Sequence, residues 1–233
     1  MTIFGLLLTT WFWTVPDLHY GPRPMVAPVM SASGEQLLYV RESWRGDELH
    51  RISLNKEDAQ QKSAFLWAEK GLVIDAAYWA GEQASLLRGH FPGFAPGLWW
   101  LEWDKNATGL DSAEVTVRSL TPNHWPEGSR QGARVVTVRP NGQVLLSLDR
   151  RRPDQPDLFS WSPSRAQPRV VEVNSGQVLQ WKVDAQGTPR LRQSFQALKN
   201  SVEYRWEWRQ QAYGAWTQLD TWRLDEPAWR PLR

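Results

Sequence analysis

The sequence predicts an all-β protein, a β-propeller of about four four-stranded blades or a partial, open propeller, on three observations. First, strand–turn–strand segments recur along the chain, each led by a turn glycine: Gly34, Gly81, Gly142 and Gly187, separated by 47, 61 and 45 residues. Second, a further apolar run opens at Leu49, Leu98, Leu158 or Val202, which is 15, 17, 16 or 15 residues after its glycine. Third, helical periodicity is nearly absent. Short antiparallel quartets repeating at a period of roughly 45 residues are the sequence mark of propeller blades.

The clearest unit is the third. Arg134–Val138 and Val144–Leu148 flank the pair Asn141-Gly142, and a charged connection then leads to Leu158–Trp161. β-Branched and aromatic runs around Asn-Gly are the strongest short-range hairpin signal. The first unit reads Ser33–Ser43 then Asp47–Leu54, the second Ala80–His90 then Gly97–Trp103, and the fourth Gln186–Phe195 then Val202–Trp208. Runs before the glycines (Val73–Trp79, Arg134–Val138, Val178–Val183) and after the second segments (Val115–Leu120, Val170–Val173, Trp216–Trp222) supply the other strands. Lys56–Lys70 reads as a helical turn or two, or a polar loop. The long second spacing is absorbed by insertions at His90–Pro96 and Lys105–Glu114, of the kind surfaces tolerate.

No linker or low-complexity tract divides the chain, so residues 25–233 are expected to form one propeller domain behind an apolar segment, residues 1–24. Within that segment Ile3–Trp13 lacks the basic start of a signal peptide and is too short to span a bilayer. It reads as a strand closing the ring, which would hide an open sheet edge. An export role would make the protein periplasmic; otherwise a cytoplasmic location is favoured. The tail Arg223–Arg233 completes the last blade or begins a fifth.

Composition narrows the function classes. Sixteen Trp against 5 Tyr and 7 Phe suit half-buried sheet positions, where an indole finds both apolar area and a partner for its N–H. With 27 basic and 25 acidic residues, the net charge of +2 gives no electrostatic case for nucleic acid or a membrane surface. The absence of Cys removes disulfides and thiolate chemistry. His19, His50, His90 and His124 have no metal-ligand spacing, and no cofactor is implied. In Tyr204–Arg209 aromatics alternate with charges, which places aromatics inward and charges outward on a half-buried strand.

The third unit also carries a resemblance. Leu120-Thr121-Pro122, then a hairpin, then Arg151 and Pro153, then Asp157-Leu158-Phe159 resembles a segment of the N-terminal, TolB-like β-propeller of prolyl-oligopeptidase-like serine peptidases. Met30–Val40 is similar to a blade opening in the same proteins, and the likeness covers roughly Met25–Asn174. It implies a propeller that stands over an α/β-hydrolase domain and restricts access to a Ser-Asp-His triad. No Gly-x-Ser-x-Gly nucleophile elbow occurs in this chain, so hydrolysis by this chain alone is not expected.

Two candidate sites follow. The loop Asp149–Asp157 gathers Arg150, Arg151 and Arg152 with Asp157, and guanidinium forks suit carboxylates or a peptide terminus. The competing reading is that Arg151 bridges Asp157 and ties two strands together. Trp99 and Trp100, with His90 and Phe94 in the neighbouring loop, form either a contact surface or a fully covered strand, since consecutive strand residues face opposite sides. The expected function is a non-catalytic propeller module that binds a peptide or protein partner, among which a hydrolase domain or a second copy of the chain are included. The alternatives are the substrate-gating part of a peptidase whose catalytic domain lies on another chain or was lost, and a periplasmic TolB-like assembly protein.

Overall fold

The computed structural model describes residues 26–54, 63–104, 115–121, 127–139 and 141–223. Sixteen strands and no helix are found among them. The first sheet is β1 (Val29–Met30), β2 (Gln36–Ser43), β3 (Gly46–Ser53) and β4 (Ser63–Ala68). The second is β5 (Val73–Gly81), β6 (Ala84–His90), β7 (Gly97–Glu102) and β8 (Thr116–Ser119). The third is β9 (Ala133–Val138), β10 (Val144–Leu148), β11 (Asp157–Trp161) and β12 (Arg169–Glu172). The fourth is β13 (Val178–Val183), β14 (Pro189–Ala197), β15 (Val202–Trp208) and β16 (Thr217–Arg223).

Each sheet is an antiparallel meander of four consecutive strands. The first strands lie side by side, β1 against β5, β5 against β9 and β9 against β13. Gly34, Gly81, Gly142 and Gly187 all sit in the turn between the first and second strands of their sheets, each with positive φ (76°, 143°, 74° and 72°). That conformation costs a residue with a Cβ, and it explains why glycine recurs at these turns. The periodic glycines therefore mark one equivalent place in four sheets.

Cores form where sheets face one another. Leu38, Leu49 and Leu66 of the first sheet meet Leu72, just before β5, and Ile74, Ala77, Leu87 and Leu101 of the second sheet. On the other side of the second sheet, Leu86, Leu98 and Trp100 meet Val144, Leu146, Leu148, Phe159 and Trp161 of the third. Leu158, Val178 and Trp181 join the third sheet to the fourth. The inner sheets are thus covered on both faces, which is why β10 reads Val-Leu-Leu-Ser-Leu with every residue buried. A fully buried Leu contributes roughly 2 kcal/mol through the area it removes from water.

Aspartates at the start of third strands fasten one sheet to the next. Asp47 Oδ2 accepts from the Ile74 N–H at 2.7 Å, and Asp157 Oδ1 accepts from the Asn174 N–H at 2.6 Å. Both carboxylates are buried, so each satisfies an interior donor that would otherwise be orphaned.

Two sequence expectations need correction. Of Lys56–Lys70 only residues 63–70 are described, and there β4 occupies Ser63–Ala68, neither a helical turn nor a loop, and supplies the outer partner of β3. Buried Leu66 and the Trp67–Trp99 contact, with ring centroids 6.0 Å apart, favour the strand. On β15 the two sides share the burial: Trp206, on the aromatic side, is the strand's one buried residue, and the charged side is engaged as well. Arg209, just beyond the strand, is buried against Glu172 of β12, and Glu207 binds Arg192 on β14. Tyr204 stacks on Trp222 and Trp208 is partly exposed on the opposite side. Alternation was read correctly, but two-residue periodicity alone does not say which face a later sheet will cover. The strand expected at Ile3–Trp13, the boundary at residues 24 and 25, and the tail beyond Arg223 lie outside the described residues.

Candidate functional site

An open cleft of about 660 Å³ lies between the second and third sheets, at the end that carries their glycine turns. One wall is the β5–β6 turn, Ala80, Gly81, Glu82, Gln83 and Ala84, and the other is the β9–β10 turn with Asn141 and Gly142. Glu102, Trp103 and Asp104 at the end of β7, Thr116 and Pro163 complete the lining, with Trp100 beneath. Three carboxylates and no basic side chain line the cleft among the described residues.

Strand alternation explains this arrangement. Trp100 and Glu102 lie on the same side of β7, so an indole in the core stands below a carboxylate at the rim. Glu102 accepts from Arg118 Nη2 at 3.1 Å, while Arg118 Nη1 donates to the Pro163 carbonyl at 2.9 Å. The same guanidinium lies 5.5 Å from the centre of the Trp161 ring. Glu82 accepts from Gln36 Nε2 at 3.4 Å, linking the cleft to the first sheet. Trp100 and Trp103 are 1% and 3% exposed, and their indole N–H groups have no acceptor among the described residues. Trp161 and Trp206 likewise lack an acceptor among the described residues, whereas Trp79 donates to the Val29 carbonyl and Trp181 to that of Pro156.

The residues expected to form sites do not come together. Trp100 lines the cleft, whereas Trp99 turns to the opposite face of β7 against Trp67 and Phe91. Neighbouring sheets cover both indoles, which favours the covered-strand reading of this pair. His90 Nδ1 lies 3.0 Å from Asp75 Oδ1, and Phe94 is exposed in the loop before β7. Arg151 forms a fork on Asp157, with Nε to Oδ2 at 2.5 Å and Nη2 to Oδ1 at 2.7 Å, and also donates to the Asn174 carbonyl. That geometry matches the tie between strands rather than an open anion site. The bond to Asp157 raises the Arg151 pKa. Arg150 approaches the Phe159 ring at 5.8 Å, and both Arg150 and Arg152 are exposed.

A hydrogen-bonded run crosses the first sheet. His50 contacts Glu48 Oε2 at 3.0 Å through Nε2 and Ser63 Oγ at 3.3 Å through Nδ1. Tyr39 also bonds Ser63, at 2.6 Å, and its ring stacks on His50 with Phe65 edge-on beyond. The hydrogen bond from His50 and then that from Arg41 lower the Glu48 pKa. With the imidazole enclosed by two rings and both nitrogens engaged, the cluster acts as a cross-strand tie between β2, β3 and β4.

No family model matches the chain. A curated relative, a hereditary hemochromatosis protein homolog from Rattus norvegicus, is 29% identical over 146 residues; the match covers 55% of this chain and 40% of that protein. Among solved structures, prolyl oligopeptidase B from Galerina marginata, bound to a 35mer hydrolysis and macrocyclization substrate, matches 84% of this chain and 27% of its own at 12% identity and a TM-score of 0.54. TolB from Acinetobacter baumannii matches over 84% of this chain and 43% of its own at 13% identity and a TM-score of 0.48. Four consecutive meanders with side-by-side first strands, matched to a propeller-containing structure, decide the architecture. The fold is that of a β-propeller.

The cleft therefore lies between blades two and three. Sequence reasoning found Trp100 but missed Glu82, Glu102, Trp103 and Asp104. A signal was present: Gly81 and Gly142, equivalent by their spacing, head adjacent blades, so the residues after Gly81 had to approach the turn at Gly142. The carboxylates at the end of β7 became part of the same place only through the register of β7 with β6, in which Glu102 pairs with Ala84.

Proposed function

We propose that this chain is a non-catalytic β-propeller module that binds a peptide or protein partner. The cleft between blades two and three carries this reading. It is a concave site whose wall combines carboxylates with turn backbone over the buried Trp100, a mixture suited to an extended peptide. A peptide array probed with the purified chain tests it. Binding weakened by Glu102→Gln but unchanged by substitution of exposed Tyr213 is the expected result, and an array without any bound peptide overturns it.

A second reading is favoured by the fold likeness to prolyl oligopeptidase B. The chain spans about a quarter of that structure's length and 40% of the curated relative it matches. In this reading the propeller gates substrate for a prolyl-oligopeptidase-like catalytic domain on another chain. An in-frame or frameshifted Gly-x-Ser-x-Gly in the adjoining genomic sequence supports it, and unrelated coding sequence removes it.

A further inference from the structure

Each inner blade shows one side to the blade before it and the other to the blade after it, so each end blade keeps one side over. Residues paired across an antiparallel ladder share a face, and the registers therefore identify those two sides. In blade four, Arg192 pairs with Trp181 and Glu207, and Trp181 enters the core shared with blade three. The opposite side carries Leu191, Phe195, Tyr204, Trp206, Trp208 and Trp222. In blade one, Leu38 and Leu49 face blade two. The opposite side carries Met30, Leu37, Tyr39, Ile52 and Phe65.

Neither of these sides enters a core with another blade among the described residues. Trp206 is buried yet belongs to none of the three cores, and Met30, Phe65 and Trp208 are 54%, 42% and 39% exposed. Aromatic and aliphatic surface gathered in this way marks a protein contact. The fourth sheet already holds four strands, so one further strand would lengthen its edge rather than cover its side.

Three arguments identify what covers both sides. The first is sidedness. Blade four keeps the side through which each earlier blade meets its successor, and blade one keeps the side through which each later blade meets its predecessor. A second copy therefore brings the complement of each, and the contact repeats one made three times within the chain. The second is the count: closed propellers typically hold about four to eight blades, so two four-bladed arcs reach the upper end and a third exceeds it. The third is area. A side of four strands, each seven residues long, measures roughly 19 Å by 23 Å, or about 440 Å². Two such sides give about 880 Å² per copy, against about 800 Å² per partner in a stable interface of standard size, and one side alone falls well short.

We propose that two copies of this chain join head to tail, blade four of each on blade one of the other, and close an eight-bladed propeller with twofold symmetry. This goes beyond the peptide-binding reading and is independent of it, since the cleft is lined from the second and third blades.

Sedimentation equilibrium of the purified full chain, from low to high micromolar concentration, tests the proposal. The expected species has twice the 26.9 kDa of one chain, with nothing larger. Trp208→Glu and Phe65→Glu each charge one of the two sides, and every joint uses one of each. Either should therefore weaken association roughly a hundredfold, about tenfold at each joint. Tyr213→Glu, in the exposed turn after β15, should leave it unchanged. Mixing the two weakened variants should restore part of the association, because a mixed pair keeps one intact joint; recombination also shows that both are folded. A monomer throughout the range overturns the proposal, and is what closure by residues 1–25 or 224–233, or by an unrelated protein, would give. Association lost with Trp208→Glu but kept with Phe65→Glu would mean that blade-four sides pair with each other, and it overturns the ring, as does growth beyond two copies. The peptide array is read separately, so the two readings fail independently.

Discussion

The Arg209 guanidinium is buried between blades three and four and forks onto Glu172, with Nη2 to Oε2 at 2.8 Å and Nη1 to Oε1 at 3.2 Å. Its Nε donates to the Pro189 carbonyl, and the group lies 4.4 Å from the centre of the Trp216 ring. Every face of the cation is thereby occupied. Removing one partner of such a pair strands the other, whereas replacing both with apolar groups of similar volume is often tolerated. Glu172→Ala should therefore lose about 3 kcal/mol in urea denaturation. Glu172→Met combined with Arg209→Met should recover most of that loss. A double variant no better than the single would show that the pair is more than a matched burial.

Asp157 and Arg151 differ in exposure, and so should their substitutions. The Asp157 side chain is 1% exposed and Arg151 is 46% exposed. Arg151→Ala leaves a buried carboxylate held, among the described residues, by the Asn174 N–H alone, while Asp157→Asn returns the guanidinium to water and keeps an oxygen for that N–H. Thermal denaturation should show the larger fall in Tm for Arg151→Ala, by roughly 5 °C or more for a chain of this size. Adding Asp157→Asn should restore part of it. The reverse order would mean that the aspartate's charge matters beyond its ion pair.

The blades were legible because their signals are local. Alternation, Asn141-Gly142 and the recurrent glycines each act over a few residues, and each lands where the spacing put it. What escaped depends on contacts between blades. Arg209 and Glu172 are 37 residues apart, and no local rule joins them. The cleft likewise needs the turns at Gly81 and Gly142 to stand side by side. Trp99 and Trp100 illustrate the boundary: the strand pleat dictates opposite faces, but only the neighbouring sheets decide that both are covered. The lone Arg151–Asp157 pairing was readable in advance because both residues border one loop.

Gly132 is bound by its surroundings as well as by its backbone. Its φ is 57°, and a Cβ there would meet the Pro96 carbonyl oxygen at 2.4 Å. That oxygen cannot retreat freely, because it accepts from the Ala133 N–H at 2.9 Å. Gly34 has a comparable φ of 76° but open space around the added carbon. Gly34→Ala should thus cost about 1 kcal/mol from backbone conformation alone. Gly132→Ala should cost about 3 kcal/mol, as strain and clash combine. Equal losses in urea denaturation would refute the role given to the Pro96 contact.

Asp149 gives stability a distinct pH dependence. Burial pushes its carboxyl up to about 6; N–H bonds from Asp154 and Gly132 and the charge of Arg134 oppose the rise, and the charge of Asp154 adds to it. Oδ2 accepts from the Gly132 and Asp154 N–H groups, while Oδ1 has no partner among the described residues. The unfolded carboxyl titrates near 3.9, so the native state binds the proton more tightly. The resulting stability is fully present below about pH 4 and is lost as pH rises to about 6. For this fully buried group the loss is on the order of 3 kcal/mol. Glu48, Asp184 and Glu207 act oppositely. Bonds from His50 and Arg41 lower the first, and the bond from Arg190 lowers the second. Burial raises Glu207, but its bonds to Arg192 and Ser194 outweigh that. Their stability is lost as pH falls below the ordinary carboxylate range. Asp149→Asn keeps an oxygen for the two N–H groups and removes the titration. Urea denaturation from pH 4 to 7 should show a gain for this variant over the parent that grows across the window and levels off above about pH 6. A difference independent of pH would exclude Asp149 as its source.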